Sequence, residues 1–142
     1  MILESVLMAS YQLVAALMPA IEVGAAVGLA AGSSVDDIWN LARQYRTTVL
    51  VAYPLTLSDV VNAPQAAESD IPFRVALSGG SSLAPRIKRD FRERMGVPLL
   101  ESYGQSELGG YCNACFTGVY PFEGVPVDLE SKERFAGIVG HG

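Results

Sequence analysis

The stretch that decides the fold covers residues 74–110 and reads RVALSGGSSLAPRIKRDFRERMGVPLLESYGQSELGG. Residues 73–78 predict a buried strand, and the glycine turn (residues 79–82, Gly-Gly-Ser-Ser) follows it directly. The next segment predicts a helix, because apolar side chains recur on one face at Leu83, Ile87, Phe91 and Met95. Residues 98–102 predict another strand, and it leads into the tyrosine segment (residues 103–107, Tyr-Gly-Gln-Ser-Glu). The stretch is therefore a strand–helix–strand unit with a polar turn after each strand.

The residues before this unit show the same alternation of strands and helices. Residues 25–30 are small and apolar and predict a strand, and residues 48–53 predict a buried strand that ends before Pro54. Ser34 and Asp37 have the spacing of a capping box, with Asp in place of the usual Glu. The helix that they begin should bury five side chains, namely Val35, Ile38, Trp39, Ala42 and Tyr45.

Three weaker local signals complete this pattern. Thr56 and Asp59 have the spacing of a cap and predict the start of a further short helix. Residues 63–72 contain two prolines and predict a surface loop. Gly96 follows the last apolar position of the later helix, where a C-cap glycine belongs.

The alternation predicts an α/β fold in which parallel βαβ units place helices against a sheet. Because right-handed crossovers bring the carboxyl ends of parallel strands to one edge, the glycine turn and the tyrosine segment should share that edge. Ligands of such sheets bind outside the carboxyl ends. The βα core covers residues 1–110, whereas residues 111–142 give a poorly defined series of strand and loop signals. Since the chain stops on a strand-and-turn pattern, we expect an internal fragment of a longer protein.

Composition and charge argue against several classes of protein. Half of the residues are hydrophobic and 18% are charged, which excludes a disordered chain. A net charge of −5 argues against nucleic acid or an anionic membrane as a partner. Residues 5–21 are uncharged but lack basic flanks, so they predict a helix buried in the core rather than a transmembrane segment. With no secretory signal and two cysteines, Cys112 and Cys115, we expect a cytoplasmic protein with ordinary thiols.

The standard phosphate-binding loops are absent from the sequence. Neither a Gly-x-x-x-x-Gly-Lys-Ser/Thr loop nor a Gly-x-Gly-x-x-Gly turn occurs. Ser106 follows a predicted strand, as the nucleophile of an α/β-hydrolase does, and Asp128 and His141 come later in the required order. Leu108 stands where that turn needs a glycine, so a serine hydrolase is the weaker alternative.

Residues 74–110 resemble the core of the adenylate-forming superfamily, which includes acyl-CoA synthetases, luciferases and peptide-synthetase adenylation domains. Members of that superfamily place a Ser-Gly-Gly-Ala/Ser turn after one strand and a Tyr-Gly-x-Thr/Ser-Glu motif after the next. The matching residues here are Ser78-Gly79-Gly80-Ser81 and Tyr103-Gly104-Gln105-Ser106-Glu107, and the resemblance extends over most of residues 1–110. It implies that the chain is part of the layered sheet of the N-terminal, AMP-binding domain of an acyl-activating ligase, for which fatty-acid metabolism is a suitable context.

The resemblance also implies roles in a reaction that uses ATP, Mg²⁺ and a carboxylic acid, with CoA as the acyl acceptor. Tyr103 would lie against the adenine, the Ser106 hydroxyl would bind phosphate oxygens, and Glu107 would bind Mg²⁺. Ser106 and Glu107 are therefore the expected catalytic residues. The other expected nucleotide-binding residues are Gly79, Gly80, Ser81, Glu101, Ser102, Gly104 and Gln105.

Several parts of the superfamily's active site have no counterpart in this sequence. They are the glycine- and Ser/Thr-rich phosphate loop with its lysine, the ribose-binding Asp, and the catalytic lysine of the C-terminal domain. We therefore expect the isolated chain to be inactive in adenylation, and we expect self-association through apolar surface that truncation exposes. A non-catalytic α/β fragment or interaction module is the other alternative.

Overall fold

The centre of the fold is a mixed β-sheet. The computed structural model of the chain describes residues 2–4, 10–30, 34–105, 107, 113–115 and 138–139. The strands are β1 (Ile2–Glu4), β2 (Val27–Leu29), β3 (Val49–Ala52), β4 (Val75–Ser78), β5 (Leu99–Tyr103), β6 (Asn113–Cys115) and β7 (Ile138–Val139). Within the described residues they form one sheet in the order β2-β1-β3-β4-β5-β6-β7. β1 to β5 run parallel to one another, whereas β6 and β7 pair in an antiparallel manner.

Helices connect the parallel strands, which confirms the predicted α/β class. The N-terminal helix is a continuous segment of α1 (Ser10–Gln12), a π-helical turn (Leu13–Leu17) and α2 (Met18–Glu22). It is followed by α3 (Val35–Gln44), α4 (Pro54–Asn62) and α5 (Pro85–Asp90). A second π-helical turn (Phe91–Met95) extends α5, and a short 3₁₀ helix (Pro64–Ala67) lies in the predicted surface loop.

Strand β1 is a feature that the sequence pattern did not predict. It lies between β2 and β3, with Ile2 opposite both Val27 and Val49. The chain therefore moves from β1 to the sheet edge at β2, and then crosses back over β1 to reach β3. Along the chain, β2 is thus added on one side of β1, whereas β3, β4 and β5 are added in turn on its other side. The order of the strands therefore reverses direction at β1.

The reversal places helices on both faces of the sheet. Right-handed crossovers that run in opposite directions put their helices on opposite faces. In agreement, α3, α4 and α5 cover the face that carries Leu50, Ala76 and Leu99, around the buried Trp39. The N-terminal helix covers the other face, where Tyr11 and Ala16 pack near Val51. The result is a sheet that is covered by helices on both sides.

The N-terminal helix corrects the prediction of a fully buried segment. One side of it packs on the sheet, but an exposed apolar row on its other side comprises Leu13, Leu17, Met18 and Ile21, and Val23, directly after the helix, is exposed as well. The prediction failed because the uncharged run contains more apolar side chains than one face of a helix can bury. No helix within the described ranges is both long and apolar enough to cross a membrane.

Several local predictions are confirmed and two are wrong. Ser34 and Asp37 form the predicted capping box at the start of α3. Gly96 ends the second π-helical turn in a left-handed conformation, with φ +66°. Tyr45, in contrast, is exposed because α3 ends before it. Thr56 is the third residue of α4 and not its N-cap, since α4 begins at Pro54, whose fixed φ suits the first turn of a helix.

Candidate functional site

The carboxyl ends of β4 and β5 bring the glycine turn and the tyrosine segment side by side, as predicted. The two strands pair in parallel, with Ser78 opposite Glu101. The Ser102 hydroxyl donates a hydrogen bond of 2.9 Å to the Ser78 carbonyl oxygen, and Ser102 is buried. This bond ties the residue before the tyrosine segment to the residue before the glycine turn. The two sequence motifs therefore form one continuous edge.

Two aromatic rings that the sequence interpretation did not assign to the site pack against the glycine turn. A Cβ atom at Gly79 would overlap the Tyr11 ring, and one at Gly80 would overlap the Tyr53 ring. Gly80 also has φ +84°, a conformation that L-amino acids rarely adopt. Only glycine fits at both positions, because the rings occupy the space that a side chain would need.

Tyr11 and Tyr53 come from the two sides of the point where the sheet reverses direction. Tyr11 lies in α1, after β1, and Tyr53 directly follows β3. In open α/β sheets, ligands bind in the crevice outside the carboxyl ends of the two strands that flank such a reversal. The glycine turn therefore borders the place where this topology predicts a ligand. The sequence did offer a signal for Tyr53, since it is the last residue of the predicted strand at 48–53.

Buried polar groups with unused hydrogen-bonding capacity lie beside this crevice. Tyr53 Oη donates to Gln12 Oε1 at 3.5 Å, and Gln12 is 2% exposed. Gln12 Nε2 and Ser78 Oγ are both buried and have no hydrogen-bond partner within the described part of the chain. Buried polar groups are nearly always paired with protein, water or ligand. These two groups are therefore suited to complete their bonding with a bound molecule.

The tyrosine segment begins with a ring that is open to solvent. Tyr103 is the last residue of β5, and 47% of its surface is exposed. The Gln105 side-chain amide donates a hydrogen bond of 2.6 Å to Tyr103 Oη, which restricts the ring. Gly104 and Gln105 are exposed. The ring is thus available to stack on a flat ligand, as its expected role requires.

The expected catalytic pair is described only in part. Glu107 is exposed. Ser106 lies outside the described residues, as do Leu108, Asp128 and His141, on which the hydrolase alternative depends. No group of three or more His, Cys, Asp or Glu side chains that could hold a metal occurs in the described part of the chain.

Glu101 and Lys88 connect β5 and α5 to the glycine turn. The backbone N–H of Leu83, directly after the turn, donates to Glu101 Oε1 at 3.3 Å. Lys88 Nζ lies 4.0 Å from Glu101 Oε2, and each side chain is 14% exposed. Ser81, in contrast, is exposed. Like Ser102, Glu101 is therefore an expected nucleotide-binding residue whose side chain is held by other parts of the protein.

Comparison with known proteins agrees with the motifs. The family described as AMP-binding enzyme matches residues 7–141 of the chain. The chain is 31% identical, over 120 residues, to an indoleacetate–CoA ligase of Aromatoleum aromaticum, covering 84% of this chain and 22% of that protein. It spans about a fifth of the length of the curated relatives that it matches.

Solved structures show the same fold. An acyl-CoA synthetase of Brucella canis superposes with a TM-score of 0.75 at 23% identity, covering 98% of this chain and 25% of that chain. The o-succinylbenzoate CoA synthetase of Bacillus subtilis, solved in complex with ATP and a magnesium ion, has a TM-score of 0.66 at 20% identity. That match covers 80% of this chain and 24% of the synthetase.

Proposed function

The chain belongs to the AMP-binding enzyme family of the adenylate-forming superfamily, and we propose that it supplies part of the nucleotide-binding edge of an acyl-activating ligase. The ligase would join a carboxylic acid to AMP and then pass the acyl group to the thiol of CoA. At the family level, the CoA ligases among its relatives support an acyl-activating enzyme. The chain covers about a fifth of those proteins, so we propose no complete active site for it.

One observation carries this proposal: the glycine turn and the tyrosine segment lie at the carboxyl ends of adjacent parallel strands. The residues that directly precede them, Ser78 and Ser102, are joined by a hydrogen bond. A nucleotide needs a flat surface for its base and nearby backbone without large side chains. The exposed Tyr103 ring offers the first, and the glycine turn offers the second. Both lie outside the carboxyl edge, where ligands of parallel sheets bind.

The chain's own residues would bind and orient the reactants rather than perform covalent chemistry. Tyr103 would stack on adenine, with its ring held by Gln105, and Gly104 would let the backbone approach the nucleotide. The Ser106 hydroxyl would donate to phosphate oxygens. Glu107 would provide one oxygen ligand for Mg²⁺, which proteins commonly hold through one or two carboxylates together with substrate phosphates. Such positioning and charge neutralisation are the main contributions of proteins to reactions at phosphorus.

The reaction that we propose for the complete enzyme has two steps. A carboxylate oxygen of the acid attacks the α-phosphorus of ATP, forming the acyl-adenylate while pyrophosphate leaves. The thiolate of CoA then attacks the acyl carbon, forming the thioester while AMP leaves. The synthetase from Bacillus subtilis that was solved with ATP and magnesium supports the proposed use of ATP and Mg²⁺.

Binding of a non-hydrolysable acyl-adenylate analogue, measured by isothermal titration calorimetry, tests the proposal. Tyr103→Ala should weaken binding by roughly 5–150-fold, since stacking of a base on an aromatic ring contributes about 1–3 kcal/mol. Tyr103→Phe keeps the ring and should bind nearly as well as the unaltered chain. Tyr45→Ala is the matched control, because it removes an exposed tyrosine that precedes β3 at the opposite edge of the sheet.

Other results would favour the alternatives. A folded chain that does not bind the analogue would indicate a non-catalytic α/β fragment or interaction module. Covalent labelling of Ser106 by a fluorophosphonate would favour a serine hydrolase. We also expect no ATP–pyrophosphate exchange by the isolated chain, because the sequence contains no lysine-bearing phosphate loop. Exchange that is lost on Glu107→Ala would contradict that expectation.

We also propose that the isolated chain self-associates. Leu13, Leu17, Met18 and Ile21 of the N-terminal helix are apolar and exposed, and so is Val23, directly after the helix. Contiguous apolar surface of this kind is uncommon on monomeric proteins and favours association.

A further inference from the structure

The carboxylate of Glu101 has both of its oxygens directed at other groups of the protein. Oε1 accepts the hydrogen bond of the Leu83 N–H at 3.3 Å, and Oε2 faces the ammonium of Lys88 at 4.0 Å. Glu101 and Lys88 are largely shielded from solvent. Both oxygens of this carboxylate are therefore oriented by the protein itself.

Two consecutive residues of β5 hold the two ends of the glycine turn. Ser102 bonds to the carbonyl oxygen of Ser78, just before the turn, and Glu101 bonds to the N–H of Leu83, just after it. Successive side chains of a strand point to opposite faces of the sheet. β5 therefore fixes the turn from both faces, and the position of the turn depends on β5.

The same strand continues into Tyr103, the proposed platform for adenine. A displacement of the Leu83 end of the turn would change the gap between the turn and the Tyr103 ring. Lys88 adds an electrostatic contribution, because it compensates a negative charge close to the edge where an anionic nucleotide would bind. Opposite charges 4 Å apart interact more strongly when they are shielded from water than at an open surface.

We propose that Glu101, held in place by Lys88, is a positioning residue that sets the glycine turn relative to Tyr103 and does not contact the nucleotide. The nucleotide part of this inference rests on the proposed function. The contact with Leu83 does not, so the two can be tested separately.

Amide hydrogen exchange at Leu83 tests the positioning contact, and titration with AMP tests its consequence. In Glu101→Ala, exchange at the Leu83 amide should become about tenfold faster or more, because its hydrogen bond to a charged acceptor is lost. The affinity for AMP should fall by a similar factor. The core amide of Val51 should stay protected, which would exclude general unfolding as the cause.

A double substitution separates positioning from direct binding. Glu101→Gln combined with Lys88→Met keeps an oxygen acceptor for Leu83 and removes both charges. This variant should keep Leu83 protection and AMP affinity within about threefold of the unaltered chain, as expected where both members of a pair are replaced by neutral groups. Arg89→Met, at an exposed position of α5 next to Lys88, controls for the loss of one positive charge from that helix.

The outcomes distinguish failure of this inference from failure of the proposed function. Unchanged Leu83 exchange in Glu101→Ala would refute the positioning contact. If the double variant keeps Leu83 protected but loses as much AMP affinity as Glu101→Ala, the carboxylate binds the ligand directly and the inference is wrong. If the unaltered chain does not bind AMP although Glu101→Ala exposes Leu83, the proposed function fails, and the nucleotide role of Glu101 fails with it.

Discussion

Replacing Gly80 with alanine should destabilise the chain by roughly 2–5 kcal/mol, from two separate costs. The first cost is conformational, because a left-handed backbone at φ +84° costs an L-residue about 1–2 kcal/mol. The second is steric, because the new methyl group would overlap the Tyr53 ring, and overpacking of this kind costs about 1–3 kcal/mol. The ring could avoid the methyl group only by moving, which would disturb its hydrogen bond to Gln12.

Two other glycines separate these costs. Gly96 also has a left-handed backbone, with φ +66°, but among the described residues no atom from another part of the fold lies within 4 Å of the position that its Cβ would take. Gly96→Ala should therefore cost about 1–2 kcal/mol from conformation alone. Gly79→Ala should show the steric cost without a left-handed backbone, since its Cβ would overlap the Tyr11 ring.

Unfolding in urea, followed by the fluorescence of Trp39, measures these free energies. Trp39 is fully buried, and its ring centroid lies 5.3 Å from that of Phe73, so its emission reports on the core. Gly80→Ala should be less stable than Gly96→Ala by at least about 1 kcal/mol. In the double variant with Tyr53→Ala, the steric part of the cost should disappear. Equal destabilisation by Gly80→Ala and Gly96→Ala would refute the close packing of Tyr53 on the glycine turn.

Two further predictions concern the cap of α3 and the exposed apolar row. Ser34→Ala should lower the free energy of unfolding by about 1 kcal/mol, because it removes the acceptor for the Asp37 N–H; Ser82→Ala, at an exposed position, is the control, and equal effects would contradict the cap's contribution. Ile21→Glu should reduce self-association measured by sedimentation velocity at several concentrations, whereas Leu55→Glu, at another exposed apolar position on α4, should not. An unaltered chain that stays monomeric at every concentration would contradict this prediction.

The features of the fold that depend on residues close together in the sequence could be predicted. The capping box of Ser34 and Asp37 needs three residues of separation and nothing else. The apolar spacing of Ile87, Phe91 and Met95 likewise identifies the buried face of a helix, although the helix begins at Pro85, after Leu83. Strand β1 could not be predicted, because three residues carry no period that distinguishes a strand from a loop. Because β1 was not predicted, the reversal of the strand order was not predicted either. The position of the partly exposed N-terminal helix on the second face of the sheet was missed for the same reason.

The candidate site likewise has some features that could be predicted from the sequence and others that depend on distant parts of the chain. The adjacency of the glycine turn and the tyrosine segment could be predicted, because consecutive parallel strands place their carboxyl ends together. The contacts of Tyr11 and Tyr53 with the glycine turn could not, since both depend on where β1 inserts. The link between Lys88 and Glu101 depends on the rotation of α5 over β5, which the apolar spacing alone does not fix.

The insertion of β1 between β2 and β3 also has a consequence for how the chain folds. Adjacent strands β3, β4 and β5 follow one another closely in sequence, whereas the partners Ile2 and Val49 are separated by most of the first third of the chain. Closing a longer loop costs more entropy, and non-local pairing slows folding. We therefore expect β3, β4 and β5 to assemble first and β1 to be inserted late. Because Tyr11 follows β1, the crevice beside the glycine turn would then be among the last parts of the molecule to form.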